Sequence, residues 1–386
     1  MKNPASKGSA SLLITTAVVL VHLVVIGLII WGCNTSSAKK EKAEADKAAA
    51  AVGEKAPDAT TQPAGNEVKP APATRYRVPS ANPNFGKPLD FSKADRSNMP
   101  LKLVPGLKEW HGTGIIVDMD TRKVLWEMDS HKSVPVASMV KMMTMLLVAE
   151  ELERNGELTL DTKVPITASA IKSLPERSGL LWLDPGKEEF TVRELLLGVA
   201  VKSANDAATQ LGERIGGTVD AFVERMNKRA AELGLKNSVF YNPCGLTDKQ
   251  HRNSKSSAAD MVILGERLLE YPFLMEMCST KQASIRDGKT VFTSTNKLIA
   301  PHYPGVDGLK TGYIRAAGSC LTFSVLREGR RIVGCVTGFT HAKERDVFCR
   351  RLIDWAYGHK SPAESKKSST KRKSSGRKTT KKSRSK

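Results

Sequence analysis

Runs that read as strands stand at both ends of the apolar part of this chain, and runs that read as helices fill its middle. Residues 114–117 and 124–126 are apolar and β-prone, and the polar stretch Asp118-Met-Asp-Thr-Arg-Lys between them reads as a hairpin turn. Residues 306–312 form a further strand candidate, and 320–326 with 331–339 make a second hairpin around Arg-Glu-Gly-Arg at 327–330. Between these ends, 161–300 is mostly helical in pattern, with periodic stretches at 192–201, 207–215, 220–233 and 257–269. Residues 341–357 close the series as an amphipathic helix. Strands so far apart in the chain bury their apolar faces best by meeting in one sheet. The expected fold is α+β over residues 76–358. An antiparallel sheet is built from both ends of the domain, helices pack on it, and a helical subdomain is inserted.

Residues 139–152 carry Met and Leu on every side, the mark of a helix buried all round. Five cysteines fall in this domain. Cys320 and Cys335 lie on one hairpin, with Thr322 rather than Cys320 directly opposite Cys335. A bridge there is strained, and buried free thiols are the expectation. Six cysteines in 386 residues are too sparse for a disulfide scaffold, and no Cys-x-x-Cys or His-Glu-x-x-His occurs, so no metal is expected.

Residues 12–32 form one apolar run interrupted by Thr15, Thr16 and His22, long enough to cross a bilayer as a helix. Lys2 and Lys7 precede it, which favours an exported remainder. Three readings stay open for residues 1–33: an uncleaved membrane anchor, a lipoprotein signal ending at Cys33, and a cleaved signal. The expected location is the bacterial cell envelope, tethered to the membrane with the folded part outside the cytoplasm. Residues 34–75 are rich in Ala, Lys, Glu, Pro and Thr and read as a disordered spacer.

The formal charge is +20, from 60 Lys and Arg against 40 Asp and Glu. Half of that excess sits in residues 361–386, which hold 11 Lys or Arg and one acid, Glu364. Residues 359–386 therefore read as a basic disordered tail. Such a tail suits electrostatic attachment to a polyanion. The export signal points to anionic wall polymers or lipid headgroups, and nucleic acid is not expected.

Ser-x-x-Lys is common here and worthless alone. Ser138-Met-Val-Lys141 differs because it opens the buried helix, where residues three apart share a face. Serine is a weak nucleophile and needs a base. A lysine serves when burial and a helix N-terminus favour its neutral form. The bland alternative, a serine cap before a surface lysine, fits poorly with Val140, Met142, Met143 and Met145 around it. Ser203-Ala-Asn205-Asp206 lies between two helical patterns and offers either a cap or a second hydroxyl with an amide. Lys310-Thr311-Gly312 occurs once, on a strand candidate beside Asp307-Gly308. A strand cation and hydroxyl can hold a carboxylate, and the glycine lets a peptide run close to an edge strand.

Together these three motifs resemble those of the serine penicillin-binding proteins and β-lactamases. With Val-Pro-Val-Ala-Ser-Met-Val-Lys at 134–141, Lys-Ser-Ala-Asn-Asp-Ala-Ala at 202–208, Asn-Pro-Cys-Gly-Leu at 242–246 and Val-Asp-Gly-Leu-Lys-Thr-Gly-Tyr at 306–313, the chain is most similar to the low-molecular-mass D-alanyl-D-alanine carboxypeptidases. The resemblance covers about residues 110–357. It implies the β-lactamase/transpeptidase-like fold, no cofactor, peptidoglycan stem peptides as substrates and β-lactams as inhibitors. It implies Ser138 as nucleophile, Lys141 as its base, Ser203 as proton relay and Asn205 as the orienting amide. Lys310 and Thr311 would hold the substrate carboxylate beside Gly312, and the backbone N–H groups of Ser138 and Tyr313 would form the oxyanion hole. Cys244 stands where the family often has histidine. A β-lactamase role is disfavoured, because no Glu-x-x-Leu-Asn follows Ser203. Alternatives are an endopeptidase or transpeptidase with the same site, or a non-catalytic polyanion-binding envelope protein. Asp118 and Asp120 in the hairpin turn, and His251 and His302, which lack ligand spacing, are not expected to be catalytic or metal-binding.

Overall fold

The computed structural model describes residues 76–176, 178–299 and 303–358. The apolar run at 12–32, Cys33, the spacer at 34–75, His302 and the tail at 359–386 lie outside the described residues. No helix among the described residues is long and apolar enough to cross a membrane.

In chain order the strands are β1 (Gly114–Asp118), β2 (Val124–Met128), β3 (Val134–Pro135), β4 (Lys163–Pro165), β5 (Glu189–Thr191), β6 (Lys255–Ser256), β7 (Gln282–Ile285), β8 (Thr290–Thr293), β9 (Val306–Ile314), β10 (Gly318–Arg327) and β11 (Arg330–Phe339). Five of them make the main sheet in the order β2-β1-β11-β10-β9, antiparallel throughout. The first hairpin meets the last: β1 pairs β11, with Ile115 opposite Cys335. Thr322 lies opposite Cys335, and all five described cysteines are free and buried.

Alternation along the strands splits the core in two. On one face Ile116, Trp126, Leu321, Phe323 and Val325 pack with Phe348 and Leu352 of the helix Ala342–Ala356. On the other, Ile115, Val117 and Cys335 pack with the helices Lys141–Arg154 and Ala258–Leu268. Large faces small across the register: Phe323 lies opposite Gly334, where an added Cβ would stand 2.3 Å from the ring. The helix Lys141–Arg154 is buried from Lys141 through Ala149 without a break. An apolar surface on all sides leaves no face that water would stabilise.

Helices between Ala168 and Ser279 form the inserted part. Their starts are set by hydroxyl caps at Thr167, Thr191, Thr218 and Ser257, with a reciprocal Thr191–Glu194 box. Two local features differ from the sequence expectation. Ser138 does not open the α-helix: it sits in a 3-10 turn, Ala137–Val140, and the α-helix begins at Lys141. The stretch 161–300, expected to be mostly helical, also holds the β4–β5 and β7–β8 pairs. Asp118 is tied to Arg330 at 2.7 Å, a structural ion pair at the β1 turn.

Candidate active site

A turn built under constraint carries Ser138. Ala137 just before it has φ +48, a left-handed conformation that a residue with a Cβ rarely adopts. The turn is held there between two glycines. At Gly245, φ +80, an added Cβ would stand 2.1 Å from the Ala137 carbonyl. At Gly312 on β9 it would stand 2.6 Å from the Val136 carbonyl. The requirement for glycine at 312 thus comes from the nucleophile's own turn, whereas the sequence reading attributes it to a passing peptide.

Lys141 begins the helix directly behind that turn. Its Nζ lies 2.9 Å from Ser138 Oγ, 2.7 Å from Asn205 Oδ1 and 2.6 Å from the Cys244 carbonyl. These three partners satisfy an ammonium completely. Burial nevertheless pulls the Lys141 pKa down to about 8, against the attraction of the Asp206 carboxylate. A neutral amine is therefore accessible near physiological pH, and Ser138 Oγ stands at hydrogen-bond distance to lose its proton to it. Burial raises the Cys244 thiol pKa, so that side chain stays protonated at neutral pH, and its backbone carbonyl is what faces the lysine.

Asn205 opens the helix Asn205–Gly216 and works in two directions. While Oδ1 accepts from Lys141, Nδ2 donates to the Ser178 carbonyl at 2.7 Å. Asp206 accepts from the backbone N–H groups of Leu181 and Leu183. One helix start thereby fixes both the lysine and the 178–183 loop on the cleft's rim. Ser203 ends a π turn, Gly198–Lys202, at φ 64. It is half-buried on the cleft wall, and its hydroxyl bonds no other described residue.

The edge strand β9 closes the other side. Thr311 lines the cleft, with its Oγ1 2.7 Å from Thr295 Oγ1. Lys310 is 1% exposed beneath it, with Nζ 3.3 Å from the Thr311 carbonyl. Burial and the charge of Lys141 hold the Lys310 pKa well below the usual range for lysine. Tyr313 is 65% exposed on the rim. Ser138, Ser203, Asn205, Thr311, Gly312 and Tyr313 all line one cleft of about 870 Å³. The three motifs converge there, with Lys141 and Lys310 buried behind the walls.

Arg345 also lines the cleft, near the start of the last helix, and escaped the sequence reading. It is 4% exposed, donates to the Cys320 carbonyl at 3.0 Å and pairs with Asp346 at 2.7 Å. Nothing in its neighbourhood along the chain marks it. The Cys244 carbonyl was missed for the same reason, since a backbone atom has no sequence signature. Gly245 was legible within Asn-Pro-Cys-Gly-Leu, although only as part of a resemblance.

The family model described as D-alanyl-D-alanine carboxypeptidase, peptidase family S11, matches residues 110–340. Among curated relatives, the D-alanyl-D-alanine carboxypeptidase DacF of Bacillus subtilis is 40% identical over 248 residues, which cover 64% of this chain and 61% of that protein. A D-alanyl-D-alanine endopeptidase of Pseudomonas aeruginosa is 30% identical over 214 residues, covering 54% and 65%. This chain therefore spans somewhat under two thirds of the length of these relatives. Among solved structures, penicillin-binding protein D2 of Listeria monocytogenes in its cefotaxime-bound form superposes with a TM-score of 0.57 at 29% identity. That match covers 63% of this chain and 95% of that one.

Proposed function

Since the chain belongs to the D-alanyl-D-alanine carboxypeptidase family, we propose that it is a serine peptidase that removes the terminal D-alanine from peptidoglycan stem peptides. The observation that carries this reading is the Lys141 amine within 2.9 Å of the Ser138 hydroxyl, behind a cleft open to solvent.

In the proposed reaction Ser138 Oγ attacks the carbonyl of the penultimate D-alanine, and its proton passes to neutral Lys141. The backbone N–H groups of Ser138 and Tyr313 receive the developing oxyanion, an interaction worth about 3 kcal/mol in comparable sites. The C–N bond then breaks. The leaving amine takes a proton relayed from Lys141 through the Ser203 hydroxyl, and free D-alanine departs. Asn205 keeps Lys141 in place and orients the peptide. Thr311 receives the terminal carboxylate at the cleft surface, Arg345 adds positive charge from beneath, and the bound carboxylate favours the protonated form of the buried Lys310. Water cleaves the acyl ester, with Lys141 accepting its proton. No step needs a metal or an organic cofactor.

β-Lactams present a reactive amide to the same serine and act as inhibitors. Fluorescent penicillin should label the protein and fail to label Ser138→Ala. Undiminished labelling of that variant would remove Ser138 from the nucleophile's role. The endopeptidase relative keeps a second reading open, cleavage of cross-links by the same residues. Product analysis on purified muropeptides separates the two: free D-alanine with cross-links intact supports the carboxypeptidase.

We further propose that the protein belongs to the cell envelope, tethered through residues 1–33 with the domain outside the cytoplasm; the apolar run at 12–32 and the preceding Lys2 and Lys7 support this reading. The charge of the 359–386 tail supports attachment to anionic wall polymers or lipid headgroups. That attachment should weaken as salt rises, and binding indifferent to salt would exclude it.

A further inference from the structure

The cleft does not end where β9 ends. A second hollow of about 350 Å³ continues from it, sharing Tyr313, Arg315 and Thr340 with the main cleft. The turn from β9 to β10, at Ala316, Ala317 and Gly318, forms part of its wall. Arg315 stands where the two spaces join. It is exposed and makes no hydrogen bond or ion pair to any described residue. By contrast, Arg345 is committed to Asp346 and the Cys320 carbonyl. Glu176 is the only acidic residue among the described residues lining the main cleft, and it already accepts from Ser178.

The direction of a bound peptide follows from which half of β9 is open. Its first half is covered at Gly308, whose carbonyl accepts from Asn296 Nδ2 at 3.3 Å. Its second half reaches solvent at Tyr313. A peptide whose C-terminal carboxylate lies at Thr311 therefore continues toward Arg315, antiparallel to β9. Extended chains advance about 3.3 Å per residue, so Arg315 lies about 13 Å beyond Thr311 along the strand. Two peptide residues span about half of that, and a side chain four methylenes long spans the rest. The group that meets Arg315 is thus the side-chain tip of the residue preceding the two D-alanines. A guanidinium with no partner of its own matches a carboxylate through paired N–H donors.

We propose that this hollow is a subsite for the residue preceding D-Ala-D-Ala, and that Arg315 favours stem peptides whose side chain there ends in a carboxylate. The peptide's direction rests on the carboxypeptidase reading; the open hollow and the uncommitted arginine do not. Arg315 is a specificity residue in this account and takes no part in the chemistry.

The test uses the full-length Ser138→Ala protein and two peptides, N-acetyl-2-aminopimelyl-D-Ala-D-Ala and its side-chain amide. The acid should bind about fivefold more tightly, the upper range for an exposed ion pair. The ratio should shrink between about 50 mM and about 500 mM salt. Adding Arg315→Gln should bring it to about one, and Arg315→Lys should keep part of it, which excludes general misfolding as the cause. Equal affinities in the Arg315 protein, or a preference that survives Arg315→Gln, would overturn the proposal. So would a preference erased instead by Lys202→Gln, the other lysine or arginine on the cleft wall that bonds no described residue. D-alanine release from both peptides is measured separately with Ser138 restored. Acid preference without any release would sink the carboxypeptidase reading and leave the subsite standing.

Discussion

The Lys141 amine and the Asn205 side-chain oxygen are 2.7 Å apart, although 64 residues separate them in the chain. This bond places the base. Lys141 is fully buried and has rotatable stem bonds, so its position against Ser138 depends on what its other N–H groups meet. Removing the amide should therefore misplace the lysine as well as loosen the Ser178 loop. Asn205→Ala is expected to slow penicillin acylation about 10- to 100-fold and to lower stability by about 1–3 kcal/mol, because buried partners are left unsatisfied. Stopped-flow labelling and urea titration measure the two effects. A variant with full acylation rate would detach Asn205 from the base.

The pKa of Lys141 sets a pH profile. Burial lowers it to about 8, and only the neutral amine accepts the Ser138 proton. Acylation should thus climb with pH up to about 8, close to tenfold per unit on the acid side, and then level off. The same shift has a stability sign. The unfolded lysine, at its ordinary higher pKa, holds its proton more tightly than the folded one. Stability from this group therefore falls as pH drops from the unfolded value through about 8 and is lowest below it. A flat rate profile between pH 6 and pH 9 would remove Lys141 from the base role.

Gly245 is a mechanical support for the nucleophile. A methyl group there would meet the Ala137 carbonyl at 2.1 Å, and its φ of +80 disfavours any side chain. Gly245→Ala should cost about 2 kcal/mol or more and should reduce acylation, since relief requires moving the turn that carries Ser138. Normal thermal stability together with normal acylation would show that the clamp is unimportant.

The five described cysteines are buried and free. Burial raises the thiols of Cys335 and Cys278 to about 12 and that of Cys320 to about 11. Thiolates are the reactive form, so in a Cys33→Ser background no thiol should react with a disulfide reagent until the protein unfolds. Rapid labelling of the native protein would contradict this packing.

Much of this was legible in order and pattern. Strand candidates at both ends predicted one antiparallel sheet built from both, which the structure closes by pairing β1 with β11, and the apolar run at 139–152 predicted the central helix. Legibility failed where geometry departs from regular period. The Ser138 turn is 3-10 and lies too close to Gly245 and Gly312 to admit a side chain at either, and no residue at 137–140 announces that. The β7–β8 hairpin is short and follows directly on the helix Pro272–Ser279, so its alternation was lost within a longer helical pattern. Gly312 was singled out for a passing peptide, and the close neighbour that the structure adds is the Val136 carbonyl. Arg345 and the Cys244 carbonyl reach the site through tertiary packing, which a linear reading does not see.

The pairing of β1 with β11 also bears on when the protein becomes competent. A ribosome has made the serine, the lysine and the amide long before it reaches position 339, yet until then β1 lacks its partner strand and the sheet stays open. Chains stopped short of that last strand should contain every reacting group and still bind no penicillin. Competence is withheld until β11 has been made.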